Sequence, residues 1–450
     1  MSGRRNLRIM TWSSRAVVRG VGCMLLAVCA LAKPVVAGPP MLRVGLAVHR
    51  SSVVVGGAGP FVISAGTQEW RGKAQTWSVC SPSAAPAQAA AQARPPAAQV
   101  YLAGPDGAGG WYALPVRVRP DQGSAEGLWA GTEPDRLPRY EGELEVTRDS
   151  TGALALVNLV DLEAYARGAI GSEMEPRYPP EALKAQAVAA RSEALAKAGR
   201  HRADGFDLCA ETHCQAYRGL SDQTPAGNNA VAATAGEVLT YDGRVADAVY
   251  HAACGGHTEN ARDAWGGADV PYLRGVSDME RPGSQDRDGY RSEDKRLRDY
   301  LTGAPAANCR QPRYLDLTRF RWVRVLTPAQ IEASLADIAK VGDLVDLRPL
   351  QRGVSGRITR LEVRGTQATS ILAPESVIRR ALGGLPSSAF VVDRYCDTAG
   401  RPVVFVLWGA GWGHGVGMCQ AGAAGMALAG RTYREILAKY YPGASIEKRY

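Results

Sequence analysis

Residues 180–199 read PEALKAQAVAARSEALAKAG and carry the clearest helical pattern in the chain. Small or apolar side chains recur there at steps of three and four residues, at Leu183, Ala187, Ala190 and Ala194. That spacing places them on one face of an α-helix. Pro180 suits the first helical position, and Gly199 suits the stop. The stretch therefore predicts a helix over residues 181–198.

The chain before this helix has the pattern of β-strands. From Met41 to Val48 larger apolar residues alternate with smaller or polar ones, which puts the larger side chains on one strand face. We expect a β-rich region over 41–150, interrupted at 81–99 by a low-complexity loop. Further helices are predicted at 327–339, 422–428 and 433–440, strands at 356–363 and around Asp242-Gly243, and a polar loop at 282–313. Strands mixed with segregated helices favour an α+β fold.

Composition excludes several classes of protein. The 450 residues are 46% hydrophobic and 22% charged, which is ordinary globular material and not a coiled coil, a disordered chain or a polytopic membrane protein. The net charge of +9 is concentrated at one end, because six basic residues and no acids precede Ala37. The charge therefore does not indicate nucleic-acid binding.

The first 37 residues have the three parts of a secretory signal peptide. A basic segment runs from Arg4 to Arg19, and an apolar segment follows from Gly20 to Ala32. The third part is a cleavage site with small residues that ends at Ala37. The apolar segment is short for a membrane anchor. We therefore expect an exported protein of the periplasm or cell envelope, not an integral membrane protein after cleavage. After cleavage, seven cysteines remain in a compartment where disulfides form. Because seven is odd, at least one cysteine has no partner for an intrachain disulfide.

A candidate acid precedes the predicted helix. Glu173 lies within Gly171-Ser172-Glu173-Met174, in what we expect to be the loop that leads to Pro180. Lys184 and Arg191 follow on the helix, seven residues apart and therefore on one face. A cationic face behind a loop glutamate can bind an anionic or polyhydroxylated ligand and set the protonation of the acid. The alternative is a solvated helix face with ordinary surface charges.

Two glycine-rich segments are candidate binding loops. Residues 250–266 combine Gly255-Gly256 with polar groups and a tryptophan, and the alternative there is a Gly-Gly turn with incidental polarity. Residues 408–420 set His414 between alternating glycines, and the alternative is a closely packed strand with a core histidine. No Lys-Ser/Thr pair follows, so a nucleotide site is not indicated. We also expect no organic cofactor. Cys419 near His414 lacks an orienting acid, which disfavours Cys–His nucleophilic catalysis.

Four residues have the donor atoms of a metal site. His201, Cys209, His213 and Cys214 supply two imidazoles and two thiols within fourteen residues. This is the donor set of a structural zinc site, although the spacing differs from that of the common zinc finger. A Cys209–Cys214 disulfide is the competing interpretation in an exported protein. The residues by themselves leave the two alternatives open.

Several segments carry a combined family resemblance. They are VNLVDLEAY (157–165), GSEM (171–174), EALKAQAVAAR (181–191), residues 209–215 and 217–219, GGHTEN (255–260), GHGVGM (413–418) and YYPG (440–443). In this order they resemble the stage II sporulation protein D / amidase-enhancer family (SpoIID/LytB), from about Leu156 to the C-terminus. The resemblance implies a SpoIID-like α+β domain over 151–450, with an inserted or accessory subdomain at about 282–395. Over residues 41–150 the similarity is only general.

The resemblance also implies a function. The family includes lytic transglycosylases that cleave the glycan strand of peptidoglycan, and relatives known as enhancers of cell-wall amidases. It implies that Glu173 is the catalytic acid and that Lys184 and Arg191 are basic residues of the site. It implies substrate-binding or supporting roles for Gln215, Tyr217, Glu259, Asp263 and His414. It favours structural zinc over a disulfide at His201, Cys209, His213 and Cys214.

A lytic transglycosylase can work with one carboxyl group, whereas a glycosidase commonly uses two. Protonated Glu173 would donate to the oxygen between N-acetylmuramic acid and N-acetylglucosamine, and its carboxylate would then accept the C6 hydroxyl proton as a 1,6-anhydro ring closes. That role needs a pKa raised by an apolar pocket, which direct contact with Lys184 or Arg191 would oppose. The alternative functions are a non-catalytic peptidoglycan-binding enhancer of an amidase and a structural envelope protein.

Three residues depart from the family pattern or complicate it. Cys254 and Cys419 stand where small hydroxyl residues are expected, so the resemblance allows a disulfide between their loops. Glu175 lies two residues from the expected catalytic acid and complicates a mutational test of it.

Overall fold

The structure is a computed structural model that describes residues 38–87, 99–122, 124–283, 289–311, 313–314 and 316–450. The predicted signal peptide at 1–37 and most of the predicted loop at 81–99 lie outside the described residues. From residue 38 onward the chain belongs to one compact unit, and its α+β class confirms the prediction. Within the described residues, no helix is both long and apolar enough to cross a bilayer.

A mixed sheet dominates the N-terminal part of the described chain. Its strands are β1 (Met41–Arg50), β2 (Ser52–Ala65), β3 (Gln68–Cys80), β4 (Gln99–Ala103), β5 (Gly109–Ala113), β6 (Val116–Pro120), β7 (Leu128–Gly131), β8 (Arg139–Tyr140), β9 (Glu143–Arg148), β10 (Leu154–Asp161) and β11 (Leu208–Cys209). The main path is β11-β1-β10-β9-β6-β2-β3-β4-β5, and β7 joins β2 to β8. Leu42 and Val44 alternate into a core beneath the sheet, as the period-two pattern predicts.

Two helices follow the sheet, α1 (Leu162–Glu173) and α2 (Pro180–Lys197). Helix α2 confirms the predicted helix to within one residue at each end. The prediction that Glu173 lies in a loop was wrong, because Glu173 is the last residue of α1. Gly168 and Gly171 are residues of α1, and an added Cβ atom would collide with Tyr217 at Gly168 and with the backbone oxygen of Asp222 at Gly171.

The remaining elements are short. The helices are α3 (Pro225–Ala233), α4 (Ala261–Trp265), α5 (Lys295–Thr302), α6 (Pro328–Leu335), α7 (Glu375–Ala381), α8 (Gln420–Leu428) and α9 (Tyr433–Tyr440). The strands are β12 (Glu237–Tyr241), β13 (Arg244–Val245), β14 (Tyr250–His251), β15 (Arg321–Leu326), β16 (Leu344–Arg352), β17 (Ile358–Gly365), β18 (Thr369–Leu372), β19 (Phe390–Cys396), β20 (Pro402–Ala410), β21 (Met418–Cys419) and β22 (Ser445–Lys448). Single 3₁₀ turns lie at Pro82–Ala84, Arg202–Asp204, Gly219–Asp222, Pro271–Leu273 and Leu317–Arg319.

These strands form four small sheets in the described chain. The orders are β13-β12-β22, β14-β21, β15-β20-β19 and β16-β17-β18. The last two sheets share a hydrophobic core with helices α6 and α7. The accessory subdomain predicted at about 282–395 remains a proposal. The parallel pair β14-β21 sets Tyr250 beside Met418 and His251 beside Cys419, and so joins the two glycine-rich segments.

Helix predictions in this half were partly right. Helix α9 has the predicted bounds, α8 begins two residues early, and α6 is shorter than predicted. The prediction of a loop over all of 282–313 was wrong because of α5. Asp294 caps α5 by accepting a hydrogen bond from the N–H of Leu297. The buried face of the helix consists of Leu297, Tyr300 and Leu301. Charged residues between these positions concealed the helical spacing.

Helix α2 is the centre of the C-terminal core. It packs against α1, α3, α8, α9 and β12, and half of its buried residues are alanines, whose size lets these elements approach closely. Arg191 is fully buried on this helix. Its guanidinium donates to Glu163 of α1 at 2.6 Å, to the carbonyl oxygen of Val231 at 2.7 Å and to the hydroxyl of Thr234 at 3.0 Å.

Replacing Arg191 by Met should lower the free energy of unfolding by about 3–5 kcal/mol, because Glu163 then stays in the interior without its cation. The matched control is Arg177→Met, which breaks the exposed pair with Glu175 and should cost less than about 1 kcal/mol. Adding Glu163→Gln to Arg191→Met should recover part of the loss. Urea unfolding measures all three, and equal small losses for Arg191 and Arg177 would contradict the prediction.

Candidate functional site

Glu173 lies at the C-terminal end of α1, on the wall of a cavity of about 1050 Å³. One carboxylate oxygen accepts a hydrogen bond from the backbone N–H of Ala216 at 2.8 Å. The side chain of Gln420 donates to the carbonyl oxygen of Glu173 at 3.3 Å and fixes the end of the helix. Two later segments of the chain, one at Ala216 and one at Gln420, therefore hold Glu173 in position.

Burial raises the pKa of Glu173, and the hydrogen bond from Ala216 offsets only part of that effect. The hydroxyl of Tyr250 beside the carboxyl also lowers the pKa, although it forms no hydrogen bond of normal geometry. Neither Lys184 nor Arg191 contributes to the shift. Burial thus favours the protonated form of Glu173, which an acid catalyst requires.

The cavity, called the cleft below, combines aromatic faces with polar and charged groups. Trp265 and Trp412 line it with 45% and 38% of their surface exposed, which offers flat apolar faces beside polar groups. The ring of Trp265 lies 5.0 Å from that of His414. Charged residues also line the cavity: Lys197, Arg200, Arg379, Glu193 and Asp247.

Glu193 is a second carboxyl group of the cleft that the sequence analysis missed. Its side chain is almost fully buried, accepts a hydrogen bond from Gln215 at 2.7 Å and pairs with Lys197. Burial raises the pKa of Glu193 to about 7, against the opposing effect of Lys197. One signal was available in the sequence: Glu193 lies seven residues after Gln186, so two polar residues share a face of an otherwise alanine-rich helix.

Two histidines of the cleft, His251 and His414, are held by backbone groups. His414 accepts a hydrogen bond from the N–H of Val416 at Nδ1 and donates from Nε2 to the carbonyl oxygen of Tyr250, each at 3.0 Å. Burial lowers the pKa of His414 well below its usual value, so the ring is neutral. His251 donates from Nδ1 to the carbonyl oxygen of Val416, and its buried Nε2 has no hydrogen-bond partner.

Three of the predicted residues, Gln215, Tyr217 and Glu259, are buried outside the cavity. Gln215 is buried behind the cleft, where it holds Glu193. Tyr217 is buried in the core, with its hydroxyl donating to Asn158 at 2.7 Å. The fully buried Glu259 accepts hydrogen bonds from Ser355, and none of these three side chains lines the cavity.

The predicted basic residues and Asp263 lie elsewhere. Lys184 pairs with Glu181 at 2.7 Å, while Arg191 is enclosed in the core, so they do not form an exposed cationic face. Asp263 pairs with Arg291 at 2.7 Å. The predicted residues that the cavity does bring together are Glu173, His213, Cys214 and His414.

The four predicted metal ligands form one cluster. The Sγ atom of Cys214 lies 3.4 Å from Nε2 of His201 and 3.9 Å from Nδ1 of His213, and Sγ of Cys209 lies 3.7 Å from the same Nδ1. All four donor atoms are within 4.8 Å of one another. Ligands of a tetrahedral zinc ion, with bonds of about 2.0–2.3 Å, are roughly 3.3–3.8 Å apart. The donor types and their spacing therefore fit a divalent metal ion.

Comparison with known proteins identifies two matching regions. The family model of the stage II sporulation protein (SpoIID) matches residues 150–241, and a model described as a domain of unknown function matches residues 259–417. Stage II sporulation protein D of Bacillus subtilis is 30% identical, over 65% of this chain and 76% of its own length. An uncharacterised protein of Brachyspira hyodysenteriae is 30% identical, over 65% of this chain and 68% of its own. The amidase enhancer of Bacillus subtilis is 29% identical, but the match spans only 40% of its length.

The buried carboxyl of Glu193 should make stability depend on pH. A folded-state pKa of about 7, against an ordinary value of 4.5, means that the folded protein holds a proton which the unfolded chain releases between those values. The stabilisation is present below pH 4.5 and is lost as the pH rises through 7, by about 3 kcal/mol. Urea unfolding from pH 4.5 to 8 should show a decrease that is about 3 kcal/mol smaller in Glu193→Gln than in the wild type, because burial also raises the pKa values of Glu173 and Asp278, which keep their own share of the decrease. The same substitution at exposed Glu143 should leave the decrease intact, and identical pH profiles for all three proteins would refute the assignment.

Proposed function

Because the chain belongs to the stage II sporulation protein D family, we propose that it is an exported lytic transglycosylase that cleaves the glycan strands of peptidoglycan. The observation that carries the proposal is the carboxyl group of Glu173, with its pKa raised by burial on the wall of a cleft that two tryptophans line. We place its site of action in the periplasm or cell envelope, after removal of residues 1–37.

The proposed reaction uses Glu173 twice. The protonated carboxyl donates its proton to the oxygen that links N-acetylmuramic acid to N-acetylglucosamine, and the C–O bond to the departing sugar breaks. The carboxylate then accepts the proton of the C6 hydroxyl while that oxygen bonds to C1, which gives a 1,6-anhydro end and consumes no water. The hydrogen bond from Ala216 stabilises the carboxylate between the two proton transfers.

The surroundings favour one catalytic carboxyl over two. Glu193 is buried, and its oxygens are already held by Gln215 and Lys197. Such a carboxylate is poorly placed to activate water, as the second acid of a hydrolase must. We assign Glu193 to positioning the cleft wall, and Trp265 and Trp412 to contacting the sugar rings.

We also propose a structural zinc ion at His201, Cys209, His213 and Cys214. His213 and Cys214 line the cleft, and Ala216, whose N–H holds Glu173, lies two residues further on. A bound ion would cross-link the segment that positions the acid and would take no part in the reaction.

One specific similarity supports a second candidate function. The amidase enhancer of Bacillus subtilis is similar to this chain over 293 residues. On this alternative the cleft binds peptidoglycan without cleaving it, and the bound protein stimulates a cell-wall amidase. Glu173 would then serve binding alone.

Glu173→Gln should reduce formation of anhydro-muramyl ends by about 100- to 10,000-fold, because the amide cannot donate and recover the proton. The matched control is Glu175→Gln, which makes the same change two residues away at an exposed side chain and should retain activity. Mass spectrometry of glycan strands incubated with each protein, with and without stem peptides, measures the products. No anhydro ends from the wild type, together with amidase stimulation that survives Glu173→Gln, would favour the enhancer function instead.

The rate should fall as the pH rises through the pKa of Glu173, because the acid must be protonated at the start of the reaction. Tyr250→Phe keeps the ring and removes the hydroxyl that lowers this pKa, so the alkaline limb of the pH–rate profile should move to higher pH. Initial rates of anhydro-product formation across pH test the shift. An alkaline limb that stays in place or moves to lower pH in Tyr250→Phe would show that another group controls it.

A further inference from the structure

We propose that Cys254, Asp278, Cys309 and Cys419 form a second metal site, separate from the histidine–cysteine cluster, that binds zinc through three thiolates and one carboxylate. All four residues are buried, and their donor atoms lie within 4.8 Å of one another. They come from four separate segments of the chain, so sequence spacing does not reveal them.

The distances between donor atoms suit a tetrahedral ion. The Sγ atom of Cys254 lies 3.5 Å from Sγ of Cys309 and 3.3 Å from Oδ2 of Asp278. Sulfur and oxygen ligands of tetrahedral zinc, at about 2.3 and 2.0 Å from the ion, lie roughly 3.5–3.8 Å apart. The atoms are thus close to their bound positions, and thiolates favour zinc over hard cations such as magnesium.

Backbone N–H groups surround the sulfur atoms. Cys419 accepts at Sγ from the N–H of Cys254 at 3.2 Å and from that of Gly422 at 3.3 Å, at the first turn of α8. Cys254 in turn accepts at Sγ from the N–H of Gly256 at 3.3 Å. Hydrogen bonds of this kind stabilise thiolates and orient them as ligands.

The carboxylate of Asp278 is oriented in the same way. Its Oδ1 accepts from the hydroxyl of Tyr440 at 2.6 Å, and its Oδ2 accepts from the N–H of Cys309 at 3.0 Å. No salt bridge to Asp278 occurs anywhere in the described chain. A buried carboxylate without a paired cation is costly, and a metal ion supplies the missing charge.

A disulfide accounts for the cluster less well. It would use two of the three sulfur atoms and leave the third thiol and Asp278 together in the interior. A metal ion engages all four groups at once. It would also tie Cys254, next to Gly255-Gly256, to Cys419 in β21, and so hold the wall of the cleft that carries His251.

The test is metal analysis of the full exported protein with matched cysteine variants. We expect two zinc ions per chain in the wild type, one after Cys309→Ser and one after Cys209→Ser, which removes a ligand of the other cluster. Cys396→Ser, at an exposed cysteine in neither cluster, should keep two. If Cys309→Ser retains the wild-type zinc content, the second site does not exist.

A second measurement avoids any dependence on how a variant folds. Cobalt substituted into the wild type should show sulfur-to-cobalt charge transfer from five thiolates, three in this site and two in the other. Intact mass under denaturing, non-reducing conditions should show all cysteines reduced once the metal is removed. Cobalt bound by two thiolates alone, or a disulfide mapped between any two of Cys254, Cys309 and Cys419, would overturn the proposal. Neither readout uses transglycosylase activity, so the failure of one proposal leaves the other intact.

Discussion

The buried ion pair between Arg191 and Glu163 is the interaction on which the rest of the fold depends. It joins α2 to α1, and the same two side chains also bind the end of α3, the backbone of Gly236 and the C-terminal residue Tyr450. An arginine can be enclosed in this way because its donors meet fixed acceptors and the alanines around it leave room for close packing. Segments separated by almost three hundred residues are thereby held in one core.

The position of Glu173, the candidate acid, depends on that core. Glu173 ends α1 and Glu193 lies on α2, so the two helices that the ion pair joins also carry two of the carboxyl groups of the cleft. Enclosing Arg191 keeps its positive charge away from Glu173, whose pKa is then controlled by burial. A cationic residue near an acid in sequence therefore need not oppose its protonation, because the helix can direct the two side chains to different surroundings.

The opposite wall of the cleft depends on long-range contacts between glycine-rich segments. The short parallel pair β14-β21 and the hydrogen bonds of His251 and His414 join residues near 250 to residues near 416. Helices and strands of this size bury little surface. A metal ion bound by Cys254, Asp278, Cys309 and Cys419, as we propose, would cross-link four segments of the chain and make this wall more rigid.

The sequence by itself determined α2, the α+β class, the strand pattern at the start of the chain and the motif around Glu173, because each depends on local periodicity or on a contiguous run of residues. It did not reveal the helical end at Glu173, where glycines are required by close approach of Tyr217 and Asp222, nor α5, whose apolar face is masked by charges. Only the tertiary structure separated Lys184 and Arg191 from the cleft, brought Glu193 into it and assembled Cys254 with Asp278 and two other cysteines. Burial and contacts between distant segments decide those features, and neither is a property of neighbouring residues in the chain.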